Sequence, residues 1–233
     1  STISSYYDSA CYEIYTSTED GDSEPDNITV EAGVQLISTN GNALFNSGDD
    51  IIIEADALVQ AFGNVVMNAD VDGPPQSGSS DPTTDDEGAV FDIIGTIRST
   101  NGNVTLNGNA DRDTFDLDAA GTVEAAGALV VDLAADKDTI LVDAGTLIGA
   151  TSALRGGADN DTTTLVTDST LTGAASLEGG TGEDLIIVDR LKAQAAGDSL
   201  AIDGGEGTDH IEIQLRGSQT AGTNYVIDVN DTG

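Results

Sequence analysis

The chain has no tryptophan, one histidine, one cysteine, four prolines and only 4% aromatic residues. With 38% of its residues apolar but aromatics this scarce, any core has to be built mainly from Val, Ile, Leu and Ala. A single cysteine excludes an internal disulfide. Cys11 is therefore either a small buried hydrophobe or one half of an intermolecular bridge, and it sits in a tyrosine-bearing stretch, SSYYDSACYEIY, unlike the rest of the chain. The lone histidine, His210, and the lone cysteine leave nothing for a Cys/His metal cluster, and neither a nucleophile elbow nor a phosphate loop is present. Basic residues are almost missing too: 7 Lys and Arg stand against 42 Asp and Glu, a formal net charge of −35. Such a field repels nucleic-acid phosphates and anionic lipid, so neither is expected as a partner. No apolar run is long enough to span a bilayer and no signal peptide opens the chain. It starts at Ser1 and ends in mid-pattern at VIDVNDTG, as expected of a mature or excised piece of something longer.

That charge by itself would fit a solvated, halophile-like surface or a disordered acidic chain, and it strains any compact state unless cations bind. A regular repeat argues against disorder. Acids recur at Asp113, Asp138, Asp161, Asp184 and Asp209, at steps of 23 or 25 residues. Two positions after each stand Phe115, Ile140, Thr163, Ile186 and Ile211; four after stand Leu117, Val142, Leu165, Val188 and Ile213. Residues two apart share one face of a strand, so each repeat offers a strand with a buried side. Thr163, the one exception among these ten, has the branched shape of Val. An earlier copy is legible in STNGNALFNSGDDIIIEA, which matches STNGNVTLNGNADRDTFDL. There Asp49 is the better anchor, since Ile51 and Ile53 then fall in the buried columns, with Asp50 beside it. No long amphipathic helix is evident: EAAGALVVDLAAD has suitable residues, but Gly127 interrupts it and Gly121 stands just before it.

A period near 24 residues predicts an all-β parallel solenoid, with two or three short strands per coil and coils stacked about 4.8 Å apart. The organisation expected is a polar Tyr/Cys arm over 1–26 and one solenoid domain over 27–233. The solenoid is interrupted at 72–88 by an acidic Pro/Ser/Gly excursion, DGPPQSGSSDPTTDDEG, which holds three of the four prolines. The excursion reads as a solvated loop, or as a calcium loop through Asp81, Asp85, Asp86 and Glu87.

Identical positions in stacked coils form ladders. The apolar ladder fills the inside, and glycines with aspartates line one edge. Glycine permits a sharp turn and close backbone approach and leaves carbonyl oxygens free to point outward, and the aspartates add carboxylate oxygens. An oxygen-rich edge suits calcium, which takes six to eight such ligands and would relieve the repulsion between stacked carboxylates. The candidate ligands are Asp111, Asp113, Asp136, Asp138, Gly157, Asp159, Asp161, Gly180, Gly182, Asp184, Gly205, Gly207 and Asp209, with Asp49 and Asp50 as further candidates. The plainer alternative is that these are only Gly/Asp turns.

Two stretches carry a resemblance. GGTGEDLII, from Gly179, and GGEGTDHIE, from Gly204, match the G-G-x-G-x-D-x-U-x nonapeptide of RTX proteins. A third copy keeps Gly156, Gly157 and Asp161 but has Asp159 for the third glycine, and the copies ending at Asp113 and Asp138 keep acids and lose most glycines. The chain departs from RTX β-rolls in having the motif once per coil rather than back to back, which implies calcium on one edge only. The stretch from Ile28 to Asp70 resembles the β-repeats of giant bacterial surface proteins and haemagglutinin-type adhesins. These resemblances imply bound Ca²⁺ and secretion to the cell exterior. The expected role is a calcium-stabilised structural protein that stacks end to end with other copies of itself into a surface filament, with Cys11 available between subunits. The alternative is a stalk segment of a longer adhesin or surface-layer protein. Parallel β-helices also include polysaccharide lyases and epimerases, but the five arginines are scattered and His210 sits in an outward turn, so no enzyme is expected. Ice binding would need a regular outward Thr/Asn ladder, which DTTTLVTDST suggests for one coil alone.

Overall fold

The computed structural model describes residues 6–8, 11–15, 26–71, 88–109, 111–191, 198–215 and 224–228. Within them every regular element is a strand, and every strand pairing is parallel, between one coil and the next. This is the parallel β-solenoid that the 24-residue period predicts.

Most coils have three faces. The first face is an eight-stranded sheet running from Ile28–Val30 through Ile51–Ile53, Val90–Ile93, Thr114–Leu117, Thr139–Val142, Thr162–Leu165 and Leu185–Leu191 to His210–Leu215. The second and third faces belong to one bent 14-stranded sheet. The second face includes Gln35–Ser38, Leu58–Ala61, Thr96–Ser99 and Thr122–Ala125; the third includes Ala43–Asn46, Val65–Asn68, Val104–Asn107 and Ala128–Asp132. From Thr146 the corner between these two faces no longer interrupts the strand: Thr146–Ala158 and Thr170–Thr181 run through both.

Alternation along each strand sends every second side chain inside. On the first face Phe91, Phe115, Ile140, Thr163 and Ile186 stack in one buried column, and Ile93, Leu117, Val142, Leu165 and Val188 in the next. Ile211 and Ile213 continue the two columns at the end of the sheet, half-buried. The third face adds Phe45, Met67, Leu106, Val131, Leu154, Leu177 and Ile202. The core is thus mainly aliphatic, with Phe91 over Phe115 as the aromatic step of the first face. Each such side chain contributes about 1.5–3 kcal/mol by leaving water, so a fold without tryptophan or disulfides stands on columns of Val, Ile and Leu.

The solenoid begins earlier than residue 27. Tyr6–Asp8 pairs in register with Leu36–Ser38, and Tyr12–Tyr15 with Ala43–Asn46. Part of the expected 1–26 arm is therefore a coil. Tyr12 is buried and meets Phe45 edge to face, with ring centroids 5.9 Å apart, which gives this tyrosine a packing role. The predicted excursion at 72–88 lies almost wholly outside the described residues; Gly88 marks the return to the first face.

Candidate metal edge

Each anchor aspartate occupies the residue just before a first-face strand, at the corner where the chain leaves the third face. Strand register aligns Asp113, Asp138, Asp161, Asp184 and Asp209 in one column. The same register extends the column backwards to Ala89, Asp49 and Asp26. Asp49 is thus in the anchor column, and Asp50 is one place off it. Asp26 was not foreseen, although it lies one 23-residue step before Asp49 and is followed by Ile28 and Val30 at the apolar offsets. Ala89 is the one gap.

The carboxylates turn inward. Asp113, Asp138, Asp161 and Asp184 are between 0% and 3% exposed; Asp209 is half-buried. Each Oδ1 accepts the backbone N–H of the preceding coil's column residue. Ala89 donates to Asp113 at 2.8 Å, Asp113 to Asp138 at 2.8 Å and Asp138 to Asp161 at 2.8 Å; Asp161 donates to Asp184 at 2.8 Å and Asp184 to Asp209 at 3.0 Å. Asp26 N–H donates to Asp49 Oδ2 at 2.6 Å in the same sense.

The second oxygen is different. Asp113 Oδ2 accepts from Asn109 N–H at 2.8 Å. The Oδ2 atoms of Asp138, Asp161, Asp184 and Asp209 are buried without a hydrogen-bond partner among the described residues. Three of these oxygens lie beneath a glycine five residues upstream: Gly156 for Asp161, Gly179 for Asp184 and Gly204 for Asp209. A Cβ on any of the three would collide with the carboxylate. The first glycine of each motif is therefore the space in which the acid is stowed. Asp138 has Leu133 at that offset, fully buried.

Stowing charge this way is costly. Burial, aggravated by neighbouring carboxylates, pushes Asp138 up to about 9 and Asp161 up to about 7 from an ordinary 3.8. Asp113 rises to about 6, chiefly through burial, and Asp184 rises for the same reason. The backbone donors pull the other way and are outweighed.

The second glycine has another use. Gly157, Gly180 and Gly205 stack in register, with φ of 127°, 125° and 99°. A Cβ on each would strike the carbonyl oxygen of the coil before: Ala134 for Gly157, Gly157 for Gly180 and Gly180 for Gly205. These carbonyls face the next coil rather than pointing outward as expected, and that of Ala134 accepts Ala158 N–H at 2.9 Å. Asp136 and Asp159 hold the place of the third glycine, with φ of 75° each, left-handed like Gly182 and Gly207. Both are exposed, unlike the anchors two residues after them, and Asp111, two residues before Asp113, is half-buried.

Asp50 is committed to neighbours: Oδ1 accepts Val90 N–H at 2.9 Å and Oδ2 accepts Asn27 Nδ2 at 3.0 Å. Cys11 is exposed, and its Sγ accepts Asn42 N–H at 3.3 Å. His210 is exposed at the end of the first face. Arg98 pairs with Glu124 at 2.7 Å, and Arg155 with Glu178 at 2.8 Å and Asp132 at 3.7 Å. Arg155 thus offsets acids of the two adjacent coils.

A second ladder was not foreseen. At the corner between the second and third faces, Asn42 Oδ1 accepts Asn64 N–H at 2.8 Å, Asn64 Oδ1 accepts Asn103 N–H at 2.9 Å, and Asn103 Oδ1 accepts Ala128 N–H at 2.9 Å. Its signal was the repeated STNGN, whose last residue is Asn42 in one copy and Asn103 in the other. Cys11 holds the same place one coil earlier.

As to calcium, the donor chemistry fits in one respect: a row of buried carboxylate oxygens has no donor, and a cation satisfies such atoms. Among the described residues no three acidic, histidine or cysteine side chains converge on a point. A cation here would thus take the remainder of its shell from backbone and water oxygens. No family model matches the chain, and neither a curated protein nor a solved structure is significantly similar to it.

Proposed function

We propose that this chain is an extracellular structural rod, stabilised by calcium along its aspartate edge, and a subunit of a surface filament built by end-to-end stacking. The observation that carries the reading is the row of partnerless Oδ2 atoms on Asp138, Asp161, Asp184 and Asp209, in a chain of net charge −35. Such a row resists folding until protons or cations neutralise it. Asp138, Asp161, Asp184 and Asp209 would hold the ions, with Asp136 and Asp159 beside them. Calcium would supply positive charge shared between adjacent coils. Sites with few carboxylates are weak, on the order of 0.1–1 mM, which suits a calcium-rich exterior rather than a cytoplasm.

Stacking is favoured by the parallel pairing itself. Ile28–Val30 and His210–Leu215 end the eight-stranded sheet, each with one partner strand among the described residues. Another coil laid on either continues the same pairing and covers an open edge. The arginines of the second and third faces are bound up in ion pairs, which favours a scaffold over a catalyst.

The test is a calcium titration of the metal-free chain followed by far-UV circular dichroism and light scattering, with chelator reversal. A rise of β signal together with particle size supports the filament subunit. A rise of β signal in a particle that stays monomeric means a stalk segment of a longer surface protein. A chain fully folded in chelator and indifferent to calcium overturns the metal edge.

A further inference from the structure

The described residues contain three N-x-[ST] triplets: Asn27-Ile28-Thr29, Asn103-Val104-Thr105 and Asn160-Asp161-Thr162. The triplet is short and recurs by chance, so what the fold does with each asparagine decides its meaning. We propose that Asn103 and Asn160 are N-glycosylation sites and that Asn27, with the same signature, is not. The proposal rests on the extracellular part of the reading above.

Asn103 and Asn160 are both exposed and both sit at corners between strands. Asn103 lies between the second and third faces, Asn160 between the third and first. In each, the amide oxygen is held by the next coil: Asn103 Oδ1 by Ala128 N–H at 2.9 Å, Asn160 Oδ1 by Glu183 N–H at 2.9 Å. In each, Nδ2 has no partner among the described residues. The clamp on the oxygen fixes the side chain with its nitrogen free, and nitrogen is the atom that takes the sugar. Thr105 and Thr162, which complete the triplets, are outward-facing and half-buried.

Asn27 is the internal control. It is half-buried, its Nδ2 donates to Asp50 Oδ2 at 3.0 Å, and its Oδ1 accepts Asp50 N–H at 3.1 Å. Both amide atoms are used between coils, so a glycan there would have to break the first-face corner.

The transfer needs a lipid-linked oligosaccharide phosphate as donor and a transferase outside the chain. The bond between the sugar C1 and the phosphate oxygen breaks, the bond from Nδ2 to C1 forms, Nδ2 gives up one proton, and the lipid phosphate leaves. Corner positions suit a bulky, hydrated group, because all three faces and both ends of the solenoid stay clear for packing.

The test uses protein recovered from its own cells, with the surface-accessible and cytoplasmic fractions kept apart, and peptide mass mapping of each. Thr105→Val and Thr162→Val remove the hydroxyl the triplet requires while keeping a branched side chain and both asparagines; Thr105→Ser and Thr162→Ser keep the hydroxyl. Expected are glycan on the Asn103 and Asn160 peptides of the surface fraction, a bare Asn27 peptide, loss of occupancy to background in each Val variant, and retention in each Ser variant. Surface protein with bare Asn103 and Asn160 overturns the inference and leaves the extracellular reading standing. Protein confined to the cytoplasm and bare overturns both. Glycan on Asn27 but not on the other two overturns the exposure argument.

Discussion

The two ladders of this solenoid solve one problem with different atoms. In the first half, Asn42, Asn64 and Asn103 tie coil to coil at one corner; in the second, Asp113 through Asp209 do so at another. Each side chain offers one oxygen to one backbone N–H, at 2.8 to 3.0 Å in either ladder. The asparagine's second atom is a neutral amide held in water. The aspartate's second atom is a carboxylate oxygen turned into the protein; from Asp138 to Asp209 it has no donor among the described residues, and in Asp161, Asp184 and Asp209 it lies beneath a glycine. The asparagine ladder is complete as it stands, whereas the aspartate ladder needs protons or cations. The neutral corner is therefore expected to be indifferent to pH and cations, and the charged corner to respond to both.

The strongest way to break the second half is through the stacked glycines. Gly180→Ala should cost about 3 kcal/mol or more, because the new methyl meets the Gly157 carbonyl in an unfavourable left-handed conformation. Gly33 is also left-handed, at φ 75°, but has nothing near its missing Cβ, so Gly33→Ala should cost only about 1 kcal/mol. Chemical unfolding of the two variants separates collision from backbone strain.

Next in size is the effect of pH on metal-free protein. Asp113, Asp138 and Asp161 titrate at about 6, 9 and 7 when folded, against 3.8 ordinarily. The folded chain thus holds more protons than the unfolded one between these limits. Stability from this source is fully present below pH 3.8 and is lost as pH rises towards 9. Urea midpoints measured from pH 5 to 9 should fall steadily without calcium and flatten with it.

Asp161→Asn makes one rung of the charged ladder like a rung of the neutral one. In metal-free buffer at pH 8 it should stabilise the fold by about 1 kcal/mol, and it should shrink the gain that calcium brings. Asn64→Ala is the converse: it should cost about 1 kcal/mol, by the same amount at pH 5 and pH 8 and with or without calcium. Thermal melts of both variants under the four conditions check the pair.

How much of this was legible depends on which physical feature carried the signal. The period, the buried columns at offsets of two and four, and the anchor role of Asp49 follow from side-chain alternation, which the order of residues records directly. Asp26 carried the same offsets but fell inside a stretch dominated by polar residues. The strands Tyr6–Asp8 and Tyr12–Tyr15 are too short to show a period of their own, and pairing made them visible. The gap at Ala89 was hidden by the excursion, which lengthens the step from Asp49 to 40 residues in place of 23. At the candidate site, the sequence identified the ladder residues but not their direction. A glycine-aspartate turn can hold its carboxylate outside or inside. The choice depends on the empty volume over Gly156, Gly179 and Gly204, and that volume exists only once the coils are stacked.

The central claim is that the aspartate column must be neutralised for the rod to stand. It is tested most directly by urea unfolding of the metal-free chain at pH 5 and at pH 8.5, each repeated with millimolar calcium. The account predicts a lower midpoint at pH 8.5 than at pH 5 without metal, and recovery of most of the difference at pH 8.5 when calcium is added. Equal midpoints at the two pH values, unmoved by calcium, would contradict it and leave the column as no more than a set of well-packed turns.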